Sequence, residues 1–168
     1  DDIEAQHERL DGSEWNRIYI IGDVHGCREE LDRLLSELNP GSGDLLVFVG
    51  DLVTKGPDSH GVVDLVRSSP DMLSVRGNNG ETLLRGDTRL PDLTGDELDW
   101  IASLPAVVSW DEVIATHAGI DPRKPPVDHT VEDLQTVRSL APEGGYTRPF
   151  WFDSYEGPPR VFLITLSL

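Results

Sequence analysis

Four short apolar runs in this chain end the same way. "RIYIIGD" (17–23), "DLLVFVGD" (44–51), "MLSVRGNN" (72–79) and "VIATHAG" (113–119) each stop at or beside a glycine, with Asp, Asn or His next to it. In open α/β sheets, sites form beyond the carboxyl ends of the strands. If these runs are neighbouring strands, their polar endings share one edge of the fold.

The segments between the runs support strands that alternate with helices. "CREELDRLLSEL" (27–38) places Leu31, Leu34, Leu35 and Leu38 at helical spacing, with charges on the other face. "NPGSG" (39–43) stops that helix. Residues 44–51 are nearly all apolar, as in a strand buried on both faces. "SHGVVDLVRSS" (59–69) reads as a second helix before a strand over 72–77. The order β-α-β-α-β predicts a mostly parallel sheet covered by helices, an α/β class.

The second half is patterned differently. Thr94 and Glu97 have capping-box spacing at the head of a helix over 94–104. "AVVSWDEVIATHAG" (106–119) predicts a hairpin turning at Trp110, Asp111 and Glu112. A Pro-rich loop follows, with His129 expected at the surface. Thr130 is the expected N-cap of a short helix over 130–140. "RVFLITLSL" (160–168) reads as a last strand. Residues 1–16 read as a polar lead-in and 17–168 as one domain.

Composition narrows the function. Lys and Arg total 14 against 31 Asp and Glu, a formal charge of −17. Such a field repels a nucleic-acid backbone, so the expected partner is a small phosphorylated or nucleotide ligand rather than long DNA or RNA. A single cysteine, Cys27, rules out an intrachain disulfide and fits a reducing, cytoplasmic setting. The longest apolar run, "VFLITLSL", is too short to span a bilayer. The acidic N-terminus reads as neither a signal nor a transit peptide.

Asp23, His25, Asp51, Asn78 and His117 stand at the run endings. Carboxylate, imidazole and amide oxygen form a mixed O/N donor set that suits Mn²⁺, Fe²⁺ or Zn²⁺. Asp51 is placed to bridge two such ions. A metal pair about 3.5–4 Å apart binds a phosphate and activates water for in-line attack. Singly, each residue has an ordinary reading: Asp23 as an N-cap, His25 as a turn residue, Gly50-Asp51 as a strand end, Asn78-Asn79 as a turn, His117 as a core residue. Their succession in one order is what points to a metal site. Cys27, close by, reads as a small packed residue opening a helix.

"GDVHG", "GDLVTKGP", "RGNN" and "HAG" resemble the motif series of the phosphoprotein phosphatase superfamily of metallophosphoesterases: GDxHG, GDxVDRG, GNH[ED] and HxG. "GDLVTKGPDS", with Thr-Lys for Asp-Arg, resembles the ApaH-like phosphatase branch, as do "GDVHGCREELDRLL" and "HAGIDPRKP". The resemblance runs from about Tyr19 to the C-terminus. It implies a calcineurin-like αββα sandwich, two divalent metal ions (Mn²⁺, or Fe/Zn) and hydrolysis of phosphate esters or anhydrides such as dinucleoside polyphosphates. It implies that Asp23 and His25 hold one metal, that Asn78 and His117 hold the other, and that Asp51 bridges. Lys55 takes the place of a phosphate-gripping arginine, as a point charge without the planar fork. Asn78 and, more loosely, Arg138 complete the expected substrate contacts.

The chain departs from the family series in two places. The family's GNH histidine protonates the leaving oxygen, whereas position 79 is Asn, which cannot act as an acid. Losing such a group typically costs about 10²–10⁴ in rate. The Asp that partners this histidine is replaced by Thr54. The family also continues to a later GH histidine that completes the second metal, and no His follows His129 here. A C-terminally incomplete sandwich is therefore expected, with a weak second metal and an unpaired sheet edge open to dimerisation. Two functional expectations follow: a metallophosphoesterase in which Asp51 and position 79 govern catalysis, or an inactive relative that binds metal, phosphate ligands or a partner protein.

Overall fold

The computed structural model describes residues 3–165. Two sheets pack face to face. The first is parallel, in the order β2–β3–β4, and consists of β2 (Arg17–Ile21), β3 (Asp44–Phe48) and β4 (Met72–Ser74). Its crossovers are α1 (Arg28–Leu38) and α2 (Ser59–Ser68), the arrangement expected of parallel neighbours. The second sheet has the order β1–β5–β6–β7, with β1 (His7–Arg9), β5 (Val107–Trp110), β6 (Val113–Thr116) and β7 (Val161–Leu163). Within it β5 and β6 form the expected antiparallel hairpin, and the β1–β5 and β6–β7 pairs are parallel.

The alternation of side chains along β3 shows why both faces had to be apolar. Leu45, Val47 and the following Val49 enter the inter-sheet core with Val75, Val108, Trp110 and Ala115. Leu46 and Phe48 point the other way and pack with Leu31, Val62, Val63, Val66 and Ile101 under the helices. Beyond the second sheet, Val107, Ile114 and Phe162 meet Leu134 and Trp151. The layers are helix, sheet, sheet, helix: the αββα sandwich of the calcineurin-like class.

Three helices frame the polar edge: α3 (Asn78–Leu84), α4 (Gly95–Ser103) and α5 (Val131–Thr136). Both anticipated caps form, Thr94 with Glu97 and Thr130 with Asp133. The strands before the motifs are shorter than the apolar runs, because residues 22–26, 49–56 and 75–77 leave the ladders to build loops. The polar lead-in also proves partly structural. Residues His7–Arg9 pair with Val107–Ser109, and Ile3 is buried. Strand pairing uses backbone groups, which the polar side chains of 1–16 do not advertise. Of the expected final strand, residues 161–163 pair with β6 at the sheet edge, while 166–168 lie outside the described residues.

Glu97 ties α4 to α2. Its carboxylate accepts the Thr94 N–H at 2.9 Å and meets His60 Nδ1 at 2.8 Å. Burial pushes the Glu97 carboxyl up, but the Thr94 and His60 hydrogen bonds outweigh it and leave the carboxyl below its ordinary 4.5. The hydrogen bond to Glu97, and then its charge, raise His60 above 6.5. The stabilisation from Glu97 is therefore present above 4.5 and fades as pH falls through the lowered value. That from His60 is complete below 6.5 and fades as pH rises through the raised one. We expect thermal melts of the wild type to decline as pH rises past 6.5 more steeply than melts of His60→Gln.

Candidate metal centre

The loops after β2 and β3 are knitted together at the backbone. Asp51 C=O accepts both the Val24 and His25 N–H groups, at 2.9 and 2.8 Å, and Leu52 C=O accepts the Gly26 N–H at 2.8 Å. In return the Asp51 N–H donates to Asp23 Oδ1 at 3.1 Å. These bonds need very close approach. A Cβ on Gly50 would collide with Asp23 Oδ1 and its backbone nitrogen, and one on Gly77 would collide with Asp51 Oδ1. The two glycines are required for contact, not only for turning.

The five sequence-derived ligand candidates converge. His25 Nε2 lies 3.2 Å from Asp23 Oδ2, and Asp23, His25 and Asp51 each offer a ligand atom within 4.8 Å of the others. His117 Nε2 in turn lies 3.7 Å from Asp51 Oδ2 and 2.7 Å from Asn78 Oδ1. Neighbouring donors around an ion with bonds of about 2.1 Å sit roughly 3 Å apart, so these spacings suit ligands of a common cation. His117 Nδ1 donates to Val49 C=O at 3.1 Å, which leaves the Nε2 lone pair facing the oxygens of Asn78 and Asp51. Metal-binding histidines are commonly oriented this way through their other nitrogen. Burial raises the Asp51 carboxyl above the usual range, opposed chiefly by its electrostatic interaction with His117 and by the Asn79 N–H bond. An inward carboxylate held at such a cost is the environment a cation relieves.

Asn79 sits at the centre. Its N–H donates to Asp51 Oδ1 at 3.0 Å, and its side-chain Nδ2 lies 3.3 Å from His25 Nδ1. Lys55 is exposed, with left-handed φ of +67° after Thr54 at +71°. The next N–H, of Gly56, donates to His25 C=O at 2.6 Å, so the loop that carries Lys55 is fastened to the His25 loop. The Lys55 ammonium has no hydrogen-bond or ion-pair partner among the described residues. Thr54 Oγ1 is buried without a hydrogen-bond partner, and the Thr54 N–H donates to Ser59 Oγ at 3.0 Å.

Two expectations are adjusted. The Arg138 guanidinium lies over the Tyr146 ring, 4.5 Å from its centroid, and not against any of the five. His129, expected at the surface, is buried: Nε2 accepts the Asp121 N–H at 2.8 Å and Nδ1 faces Pro125 and Pro126 C=O at 3.1 Å. The Pro-rich loop closes around this imidazole because prolines bring carbonyls without competing N–H groups.

A buried support escaped the sequence reading. Arg76 Nε bonds Glu81 Oε2 at 2.8 Å, its Nη1 donates to Ala102 C=O, and Gln135 Nε2 donates to Glu81 Oε2 at 3.0 Å. This network fixes α3, which opens with Asn78, against α4 and α5. Its one sequence signal was an arginine ending an otherwise apolar run.

The family model described as calcineurin-like phosphoesterase matches residues 16–167. The chain belongs to the calcineurin-like phosphoesterase family. The expected membership of the phosphoprotein phosphatase superfamily and its ApaH-like branch holds as well. This phosphoesterase is 33% identical over 174 residues to a symmetrical bis(5'-nucleosyl)-tetraphosphatase of Chromohalobacter salexigens, covering 87% of this chain and 64% of that protein. It is 41% identical over 83 residues to serine/threonine-protein phosphatase 1 of Salmonella typhimurium, covering 48% of this chain and 38% of the other. The crystal structure of a candidate diadenosine tetraphosphatase superposes with a TM-score of 0.81 at 28% identity, covering 95% of this chain and 78% of that one. The chain thus spans about 64% of the length of the first of these relatives and less of the second.

Two outcomes are expected from melting curves. Mn²⁺ raises the melting temperature of the wild type, as binding to the native state requires. Metal-free Asp51→Asn melts at or above the metal-free wild type, because a buried charge is gone, and gains little from Mn²⁺. Loss of melting temperature in metal-free Asp51→Asn would show that the carboxylate is structurally satisfied without an ion.

Proposed function

We propose that this chain is a metal-dependent phosphohydrolase that cleaves a phosphoanhydride of a small nucleotide, of the dinucleoside tetraphosphate type. The carrying observation is the placement of Asp51 between the Asp23–His25 pair and the Asn78–His117 pair. A divalent pair there would supply Lewis acidity for the phosphoryl group and would lower the pKa of a reacting water. Asp23 and His25 would hold one ion, Asn78 and His117 the other, and Asp51 would be shared. Lys55, on the loop fastened to His25 through the Gly56 N–H, is the candidate positive charge for a non-bridging phosphate oxygen, and Arg138, stacked on Tyr146, is the looser candidate for a second. The relatives named as tetraphosphatases support this substrate class. The charge of −17 speaks against a long RNA. The same reading places the protein in the cytoplasm, with the β7 edge as the surface for any self-pairing. Among the described residues no helix is long and apolar enough to cross a membrane.

Asn79 shapes the choice of bond. Alkyl phosphate esters depend on protonation of the leaving oxygen, and no acid stands at this position. The leaving phosphate of an anhydride is a weaker base and needs a proton less. The same residue favours a second reading, an inactive relative that keeps metal and phosphate binding.

The deciding experiment is Mn²⁺-dependent cleavage of a dinucleoside tetraphosphate, read by anion-exchange chromatography as the nucleoside mono-, di- or triphosphates formed, with Asp51→Asn as the blank. Turnover above the blank supports the hydrolase. Folded, metal-loaded protein without turnover supports the binding reading. We further expect the ratio of anhydride to alkyl-monoester hydrolysis to fall in Asn79→His, by up to about 10²-fold; an unchanged ratio rejects the leaving-group explanation.

A further inference from the structure

We propose that Asn79 is a positioning residue that sets the tautomer of His25 and thereby controls entry of the first metal. The inference rests on the metal-site reading above. The amide stands where the family series has an acid, yet it is directed at a ligand candidate: Asn79 Nδ2 lies 3.3 Å from His25 Nδ1.

A neutral imidazole carries one N–H, and its two nitrogens have different company here. Nε2 lies 3.2 Å from Asp23 Oδ2, an acceptor. Nδ1 lies between the Asn79 amide nitrogen, a donor, and Val53 C=O, an acceptor, at a longer 3.4 Å. When Asn79 donates to Nδ1, the proton must sit on Nε2 and point at Asp23. The contacts around His25 are then matched donor to acceptor: Asp23 Oδ1 takes the Asp51 N–H, Oδ2 takes the His25 N–H, and Nδ1 takes the Asn79 amide. That tautomer presents no lone pair at Nε2, the nitrogen that shares the pocket with Asp23.

Metal binding through Nε2 needs the other tautomer. The proton moves to Nδ1, where it can donate to Val53 C=O, and the Asn79 amide must turn over so that Oδ1 rather than Nδ2 faces the ring. The Asn79 backbone N–H keeps its bond to Asp51 Oδ1 in either state, so the turn is confined to the side chain. His25 itself cannot swing away easily. Its φ of +50° and the +73° of Gly26 are fixed by N–H bonds from both residues to the β3 loop. The amide is therefore the adjustable part, and its preferred orientation opposes the first metal.

The test uses substitutions that change only what faces Nδ1. Asn79→Asp offers an acceptor alone, and Asn79→Leu offers neither donor nor acceptor. Long-range ¹⁵N–¹H correlation spectra of histidine-labelled, metal-free protein at mildly alkaline pH report the tautomer directly. Calorimetric titration with Mn²⁺ reports the affinity of the tighter site, and melting curves confirm folding. We expect His25 to be Nε2-protonated in the wild type and Nδ1-protonated in Asn79→Asp. We expect the tighter Mn²⁺ site to gain roughly tenfold or more in Asn79→Asp, in the range typical of outer partners of a ligating histidine, and a smaller amount in Asn79→Leu. A gain in Asn79→Asp without a tautomer change would be an effect of added charge and would overturn the proposal. So would an Nδ1-protonated wild type. The spectra need no metal, so this inference can fail while the phosphohydrolase reading stands. Absence of Mn²⁺ binding in all three folded proteins would instead reject the metal site.

Discussion

The structure depends on the way Asp51 is held. Its carbonyl takes two N–H groups from the β2 loop, its N–H goes to the Asp23 carboxylate, and its own carboxylate takes the Asn79 N–H and faces His117. One residue thus joins the ends of β2, β3, β4 and β6. A Cβ on Gly50 would strike Asp23, and one on Gly77 would strike the Asp51 carboxylate. The glycines that look like generic punctuation in the sequence are the clearance around one carboxylate.

Burying that carboxylate is costly, and the surrounding fold opposes the cost only in part. His117 and the Asn79 N–H favour the charge, while burial and the neighbouring Asp23 disfavour it. A bound cation would relieve this balance. The rigidity needed to keep it open comes from the two-sided burial of β3 and from the Arg76–Glu81–Gln135 network, which holds α3 from behind.

Asn79 is one of the positions at which this chain departs from the motif series. An amide can neither donate a proton in catalysis nor replace the charge of a carboxylate. What it can do is hydrogen-bond in two opposite senses by turning over. Set against Nδ1 of His25, that ambiguity is the basis of the proposed influence on metal uptake. The change of residue alters which step the position influences, while its backbone role toward Asp51 is unaffected.

Much of the fold was legible because its signals are local. Periodicity marked α1, α2 and the buried β3, capping chemistry marked α4 and α5, and the polar endings of four runs marked Asp23, His25, Asp51, Asn78 and His117. The β1 strand was hidden, since pairing with β5 is a property of backbone groups and a polar "HER" gives no pattern. The burial of His129 was hidden for a related reason: it follows from carbonyls of Pro125 and Pro126 that only a folded loop brings together. The stacking of Arg138 on Tyr146 and the Arg76 network likewise join residues distant in sequence. The sequence by itself determined the class of fold, the candidate donor set and the absence of an acid at position 79, because these are matters of residue type and spacing. Only the tertiary structure decided which nitrogen of His25 faces Asp23 and which faces Asn79, because ring orientation is set by contacts that no single segment contains.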